Sequence, residues 1–226
     1  QIEKIVRQIA DLHNEGKEVV LVTSGAIGVG RFRMAMSEKP SSLPQKQALA
    51  SIGQVSLMYI YSKFFGEYDQ IASQVLITRD VVDDELKKEN THNTLCTLLD
   101  YGVIPIVNEN DTVATEEIEP NFGDNDTLSA VVAELIDADL LILLSDIEGL
   151  YDKNPKSHKD AHLIPVIYDV CNQVIKGAEG TNNDLGTGGM RTKIGAAKIC
   201  YRASIPMIIS NGDDPEHIYE ILEGKD

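Results

Sequence analysis

The chain has no tryptophan, four phenylalanines and eight tyrosines. So few rings argue against a surface that stacks on the bases of single-stranded nucleic acid. Cysteine is scarce too. Cys96, Cys171 and Cys200 are widely spaced and odd in number, which suits reduced core thiols in a cytoplasmic protein rather than a disulfide framework. No apolar run approaches the roughly 20 residues that cross a bilayer, and no secretory signal opens the chain. Basic residues are outnumbered, with 20 Lys and Arg against 36 Asp and Glu and a formal net charge of −16. That balance argues against nucleic acid or an anionic membrane as partner. An anionic ligand would need a local field made by helix ends, backbone donors, a few lysines and a divalent cation.

What is present is an ordinary globular composition. Over 226 residues, 42% are hydrophobic, enough for one large domain or two small ones with ample core. Short β-branched runs at 19–23, 71–78, 103–107, 140–144 and 205–209 alternate with longer stretches. Their near-continuous apolarity predicts strands buried on both faces, as in a parallel sheet. Between them lie helical spacings: Ile2, Ile5, Ile9 and Leu12 before Gly16; Leu49, Ile52, Val55, Tyr59 and Phe64 after Pro44; and Leu128, Val131, Val132 and Leu135. The alternation points to a doubly wound α/β sandwich. No linker divides the chain, and the most irregular stretch, 176–189, holds five glycines and has the composition of a lid over a phosphate site.

That stretch leads into Gly186-Thr187-Gly188-Gly189-Met190-Arg191-Thr192-Lys193. Glycines let bare backbone N–H groups approach a ligand, a helix N-terminus favours an anion, and Lys193 adds a full positive charge. It is not a Walker A loop, because Ile194 follows the lysine. The plain alternative is a helix entry rich in turn residues. The first strand runs into Thr23-Ser24-Gly25-Ala26-Ile27-Gly28-Val29-Gly30. This is either a phosphate- or acid-binding turn at a strand's carboxyl end or close packing of a glycine-rich helix on the sheet. The strand at 103–107 ends in Asn108-Glu109-Asn110-Asp111, four polar residues that are costly after a buried strand unless they face a site or water. Gly123-Asp124-Asn125-Asp126 opens the next helix with more carboxylates than capping needs. With Asp111 they suit an amino group, a lysine pair or a hydrated cation. Ser145-Asp146 closes the strand at 140–144, where a ribose or base could sit, ahead of a short aromatic hairpin. His158 and His162 are four apart, but in loop-like sequence, so no protein metal site is expected there.

Taken in order, Val22–Ile27, Asn108–Asp111, Gly123–Asp126, Ser145-Asp146 and Gly186–Lys193 resemble the amino acid kinase family. Within it they resemble the members that phosphorylate glutamate. Carbamate, uridylate, aspartate and acetylglutamate kinases share the layout but not this combination. The resemblance covers essentially the whole chain. It implies a three-layer αβα sandwich with a mainly parallel central sheet, residues 1–226 forming one kinase domain. It also implies ATP-dependent transfer of a phosphoryl group to the side-chain carboxylate of L-glutamate, the first step of proline biosynthesis. Ser24, Asp111 and Asn125 would bind glutamate. Ser145, Asp146 and Thr187, Gly188, Gly189, Met190, Arg191, Thr192 and Lys193 would form the nucleotide site. Lys193 would stabilise the transferring group and Asp126 would orient the catalytic lysines. Magnesium would be held mainly through the ATP phosphates, and proline is an implied feedback inhibitor. The long apolar helix at 43–65 suggests a homodimer or tetramer.

The family pattern begins with a strand and a Lys-x-Gly-[Ser/Thr] turn, which this sequence does not show. It also ends in a further strand region, often followed by an RNA-modification-like (PUA) domain, and neither is present here. The expectation is that residues of the natural protein lie outside the 226. The alternatives are a non-catalytic amino-acid-sensing module of the same fold, or a family member acting on a related acid.

Overall fold

The computed structural model describes residues 1–78, 80–113, 125–152, 158–168 and 190–224. The chain forms two compact units, Gln1–Glu119 and Pro120–Asp226.

In the first unit, α1 (Ile2–Asn14) buries Ile9 and Leu12 of its predicted face together with Val6, while Ile2 and Ile5 are partly buried. Gly16, at φ +84°, then lets the chain reverse toward β1 (Leu21–Val22). After α2 (Ala26–Arg33) comes α3 (Leu43–Glu67). Its start is set by Pro44 in the first turn and by Gln45, whose Oε1 accepts the Ser41 and Ser42 backbone N–H groups in a capping box. Then follow β2 (Ala72–Ile77), the single turn α4 (Asp80–Asp83), α5 (Glu85–Asp100) and β3 (Ile104–Glu109). The three strands are parallel in the order β1-β3-β2, with Leu21 opposite Ile106 and Ala72 opposite Ile104. The central strand β3 is therefore its most buried. Pro105 sits in it without breaking the ladder, because β1 pairs only from Ile106 onward. Val6, Ile9, Leu57, Tyr61, Phe65, Ile104 and Ile106 make the core between α1, α3 and β3.

The second unit contains α6 (Asn125–Leu135), β4 (Leu141–Ser145), β5 (Leu150–Tyr151), β6 (Leu163–Ile164), α7 (Met190–Ala203), β7 (Met207–Asn211) and α8 (His217–Leu222). β4 and β7 are parallel, with Leu141 opposite Met207, and β5 and β6 form the antiparallel hairpin. Small residues bring α6 and α7 together: Ala130, Ala133 and Ala196 are buried beside Leu143, Cys200 and Ile205. Burial pushes the Cys200 thiol up to about 11, so it behaves as an apolar core group. Cys171 lies outside the described residues. His158 and His162 lie in irregular backbone, as the loop-like sequence predicts, with the His162 N–H donating to Asp152 Oδ1 at 2.8 Å.

Candidate active site

Two strand ends carry the polar groups of the first unit. β1 stops at Val22, and Thr23, Ser24 and Gly25 turn the chain into α2. Gly25 caps that helix at φ +97°, where a side chain would be strained, and Ser24 beside it is exposed. The turn is held on both sides. The Thr23 N–H donates to the Val107 carbonyl at 2.9 Å, and the Thr23 hydroxyl lies 3.0 Å from the Tyr61 hydroxyl. The glycines of the motif divide between its two readings. Gly25 serves the turn. Gly30 serves packing, on α3 rather than on the sheet: a Cβ there would strike the Leu49 carbonyl, as one on Gly53 would strike that of Ala26. Gly28 faces open space.

β3 is the neighbour of β1, so its end emerges at the same edge of the sheet. Asn108 is buried and bonded at both ends of its amide. Its Nδ2 donates to Gln54 Oε1 at 2.9 Å, and its Oδ1 accepts the Glu109 N–H at 2.9 Å. Asn110 N–H returns to the Ile77 carbonyl. Glu109 and Asp111 follow, both partly buried. Burial raises the Asp111 carboxyl above its ordinary range; Glu109 is raised by burial first and then by the negative charge of Asp111. Two crowded, partly dehydrated carboxyls at a strand end favour a cationic partner such as a substrate ammonium. Ser24 and Asp111 thus share one sheet edge. Gln54 and Tyr61, which brace that edge from α3, were not singled out by the sequence reading. The signal was there: both are polar-tipped residues inside the buried stripe Leu49, Ala50, Gly53, Leu57 and Phe65.

In the second unit the site residues gather where α6 and α7 begin. Asn125 and Asp126 are the first two residues of α6; Gly123 and Asp124 lie outside the described residues. Asp126 Oδ2 accepts Lys193 Nζ at 2.9 Å and the Thr192 hydroxyl at 2.8 Å. The Ser129 hydroxyl donates to the Asp126 carbonyl at 2.7 Å and secures the backbone. Lys193 is only 6% exposed, so the pair is an ion pair largely withdrawn from water. Such a pair is costly to build and rarely kept for stability alone. Lys193 has three donors, and the Asp126 carboxylate fixes the direction of one. Met190 packs on Leu150 and Ile194, anchoring the start of α7, while Arg191 is exposed. Thr187, Gly188 and Gly189 lie outside the described residues. Ser145 and Asp146 close β4, where the Ser145 hydroxyl donates to Asp146 Oδ1 at 3.3 Å and the Gly212 N–H to the Ser145 carbonyl at 2.8 Å. Among the described residues no three His, Cys, Asp or Glu are grouped as a metal site. The donors at the start of α7 suit phosphate.

The amino acid kinase family profile matches residues 1–211, and the chain belongs to that family. Its α/β fold agrees: a crystal structure of isopentenyl phosphate kinase superposes with a TM-score of 0.63 at 16% identity, covering 100% of this chain and 87% of the other. Within the family, sequence similarity singles out one activity. Glutamate 5-kinase of Listeria innocua serovar 6a is 52% identical over 226 residues, 99% of this chain and 82% of the relative. Glutamate 5-kinase of Clostridium perfringens is 50% identical over 228 residues, 100% and 85% respectively. That of Clostridium acetobutylicum is 54% identical over 222 residues, 98% and 82% respectively.

Proposed function

We propose that the protein phosphorylates the side-chain carboxylate of L-glutamate with ATP, giving γ-glutamyl phosphate and ADP at the entry to proline biosynthesis. Identity of 50% to glutamate 5-kinases over essentially the whole chain carries the activity, and the buried Lys193–Asp126 pair carries the chemistry. A carboxylate oxygen attacks the γ-phosphorus as the bond to the ADP oxygen breaks. The nucleophile is already anionic, so no general base is needed. Catalysis rests on positioning two anions and neutralising charge as the phosphoryl group moves.

Lys193, oriented by Asp126, stabilises the transferring group. Its place in the first turn of α7 directs the side chain back toward the helix N-terminus, where phosphate gathers. Ser145, Asp146, residues 187–191 and Lys193 hold the nucleotide. Magnesium, bound mainly through the phosphates, lowers the repulsion between the anions. Asp111 takes the glutamate ammonium, Ser24 with nearby backbone amides takes an acidic group, and Asn125 completes the contacts. Residues 1–226 act as one amino acid kinase domain. Proline competes with glutamate at the Ser24 and Asp111 edge. The enzyme works in the cytoplasm, which supplies ATP and glutamate; among the described residues no helix is long and apolar enough to cross a membrane. It assembles as a dimer or tetramer through α3, whose Val55 and Tyr59 are 74% and 69% exposed.

The test is ADP release by the full-length protein with glutamate, ATP and magnesium. Turnover with glutamate is expected; turnover with aspartate or acetylglutamate alone overturns the substrate. Lys193→Ala should lower kcat by two orders of magnitude or more while KM for glutamate changes little, since the charge acts on the moving phosphoryl group.

A further inference from the structure

Thr192 stands inside a segment whose pattern suggests nucleotide contact, yet its side chain does something else. It is buried, and its hydroxyl donates to Asp126 Oδ2 at 2.8 Å. The same oxygen accepts Lys193 Nζ at 2.9 Å. Two consecutive residues of α7 therefore converge on one atom, 66 and 67 positions away in the chain. Threonines inside a helix commonly turn their hydroxyls back to a carbonyl of the preceding turn; Thr192, in the first turn of α7, reaches a different helix.

A carboxylate held by a lysine alone is loosely held. The lysine is a point charge on a flexible stem, and the terminal torsion of aspartate is broad. A β-branched residue has few χ1 states in a helix, so its hydroxyl is a stiff second donor that stops the carboxylate from turning. The Asp126 backbone is itself tied by Ser129 at 2.7 Å. With both fixed, the direction of Lys193 Nζ is fixed, and a misplacement of about 1 Å in a positioned charge can cost on the order of a hundredfold in rate.

We infer that Thr192 is a positioning residue: its hydroxyl locks the Asp126 carboxylate and thereby aims Lys193, rather than binding the nucleotide. This rests on the reading of Lys193 given above. In the full-length enzyme, Thr192→Val keeps the volume and removes the donor. The expected result is a fall in kcat of about tenfold or more, with KM for ATP and the Kd for ADP by calorimetry within about twofold of wild type. Thr192→Ser, which restores the hydroxyl, should return kcat to within about threefold. Should the valine variant fold poorly, Thr192→Ala gives the same comparison. A tenfold rise in KM for ATP and in the ADP Kd at unchanged kcat overturns the inference in favour of direct nucleotide contact. An unchanged kcat with only a lower Tm overturns it in favour of a purely structural role. Lys193→Met run in parallel separates the two possible failures. Full turnover in both variants refutes the role of Lys193 itself. Loss in Lys193→Met with full turnover in Thr192→Val refutes the role of the hydroxyl alone.

Discussion

Asp111 is set in conflict between folding and binding. Its carboxyl lies above the ordinary value of 3.8 because burial disfavours the charged form. A carboxyl raised in this way contributes stability below its unfolded pKa and loses it as pH climbs through the raised value. At neutral pH the ligand-free protein therefore holds Asp111 at a cost. Asp111→Asn should melt at a higher temperature than wild type near pH 7, and the difference should close on acidification to about pH 3.5, below the ordinary value. The same substitution removes the group proposed to hold the substrate ammonium, so KM for glutamate should rise. Thermal melts at the two pH values and glutamate saturation curves check both. Asp126 shows the converse. Asp126→Ala leaves Lys193 charged, buried and unpaired, at a cost of about 3–5 kcal/mol measurable by denaturant titration. The double variant Asp126→Leu with Lys193→Met should recover most of that stability and remain inactive.

Among the elements, the helix pair α2–α3 sets where Ser24 can stand. A methyl at Gly53 would meet the Ala26 carbonyl, the first residue after the Ser24-Gly25 turn. Gly53→Ala should cost about 1–3 kcal/mol through overpacking and raise KM for glutamate with it. Gly28→Ala, in α2 and facing open space, should be neutral or stabilising by about 0.5–1 kcal/mol. Chemical denaturation of the two variants tests the contrast. The sequence shows four identical glycines within this stretch of α2 and α3, because composition does not reveal which neighbour a Cβ would meet. Other elements are plain in it. The five apolar runs at 19–23, 71–78, 103–107, 140–144 and 205–209 fall on β1, β2, β3, β4 and β7, but the expected burial on both faces holds for β3 alone: β2 carries exposed residues, and β1, β4 and β7 are mostly half-buried. α5 is different. Leu95 is its sole buried residue, and its start depends on Asp84 Oδ1 accepting the Leu86 and Lys87 N–H groups. A helix made by a cap and surface polarity has little apolar period to read. In the site, the acidic clusters and Lys193 were legible as charge in unexpected places. The bonds from Gln54 to Asn108 and from Thr192 to Asp126 were not, because each joins residues more than 50 positions apart.

For the whole molecule, the net charge of −16 keeps copies apart unless an apolar face outweighs the repulsion. On α3, Ile52, Val55 and Tyr59 follow one another at helical spacing and are 39%, 74% and 69% exposed. Val55→Glu combined with Tyr59→Glu should shift sedimentation from dimer or tetramer to monomer. The far-UV spectrum should stay unchanged, because neither side chain belongs to the core. Raising salt should tighten assembly of the wild-type protein as the repulsion is screened.

The absence of tryptophan gives the Tyr61–Thr23 hydrogen bond a practical use. With no indole to mask it, the near-ultraviolet spectrum belongs to tyrosine, and Tyr61 is the tyrosine whose hydroxyl touches the residue beside Ser24. Burial also delays its ionisation in alkali. With a Tyr61→Phe variant to separate its signal from the other seven tyrosines, Tyr61 serves as an optical probe of the turn proposed to bind substrate. Glutamate binding can be followed by difference spectroscopy without attaching any label.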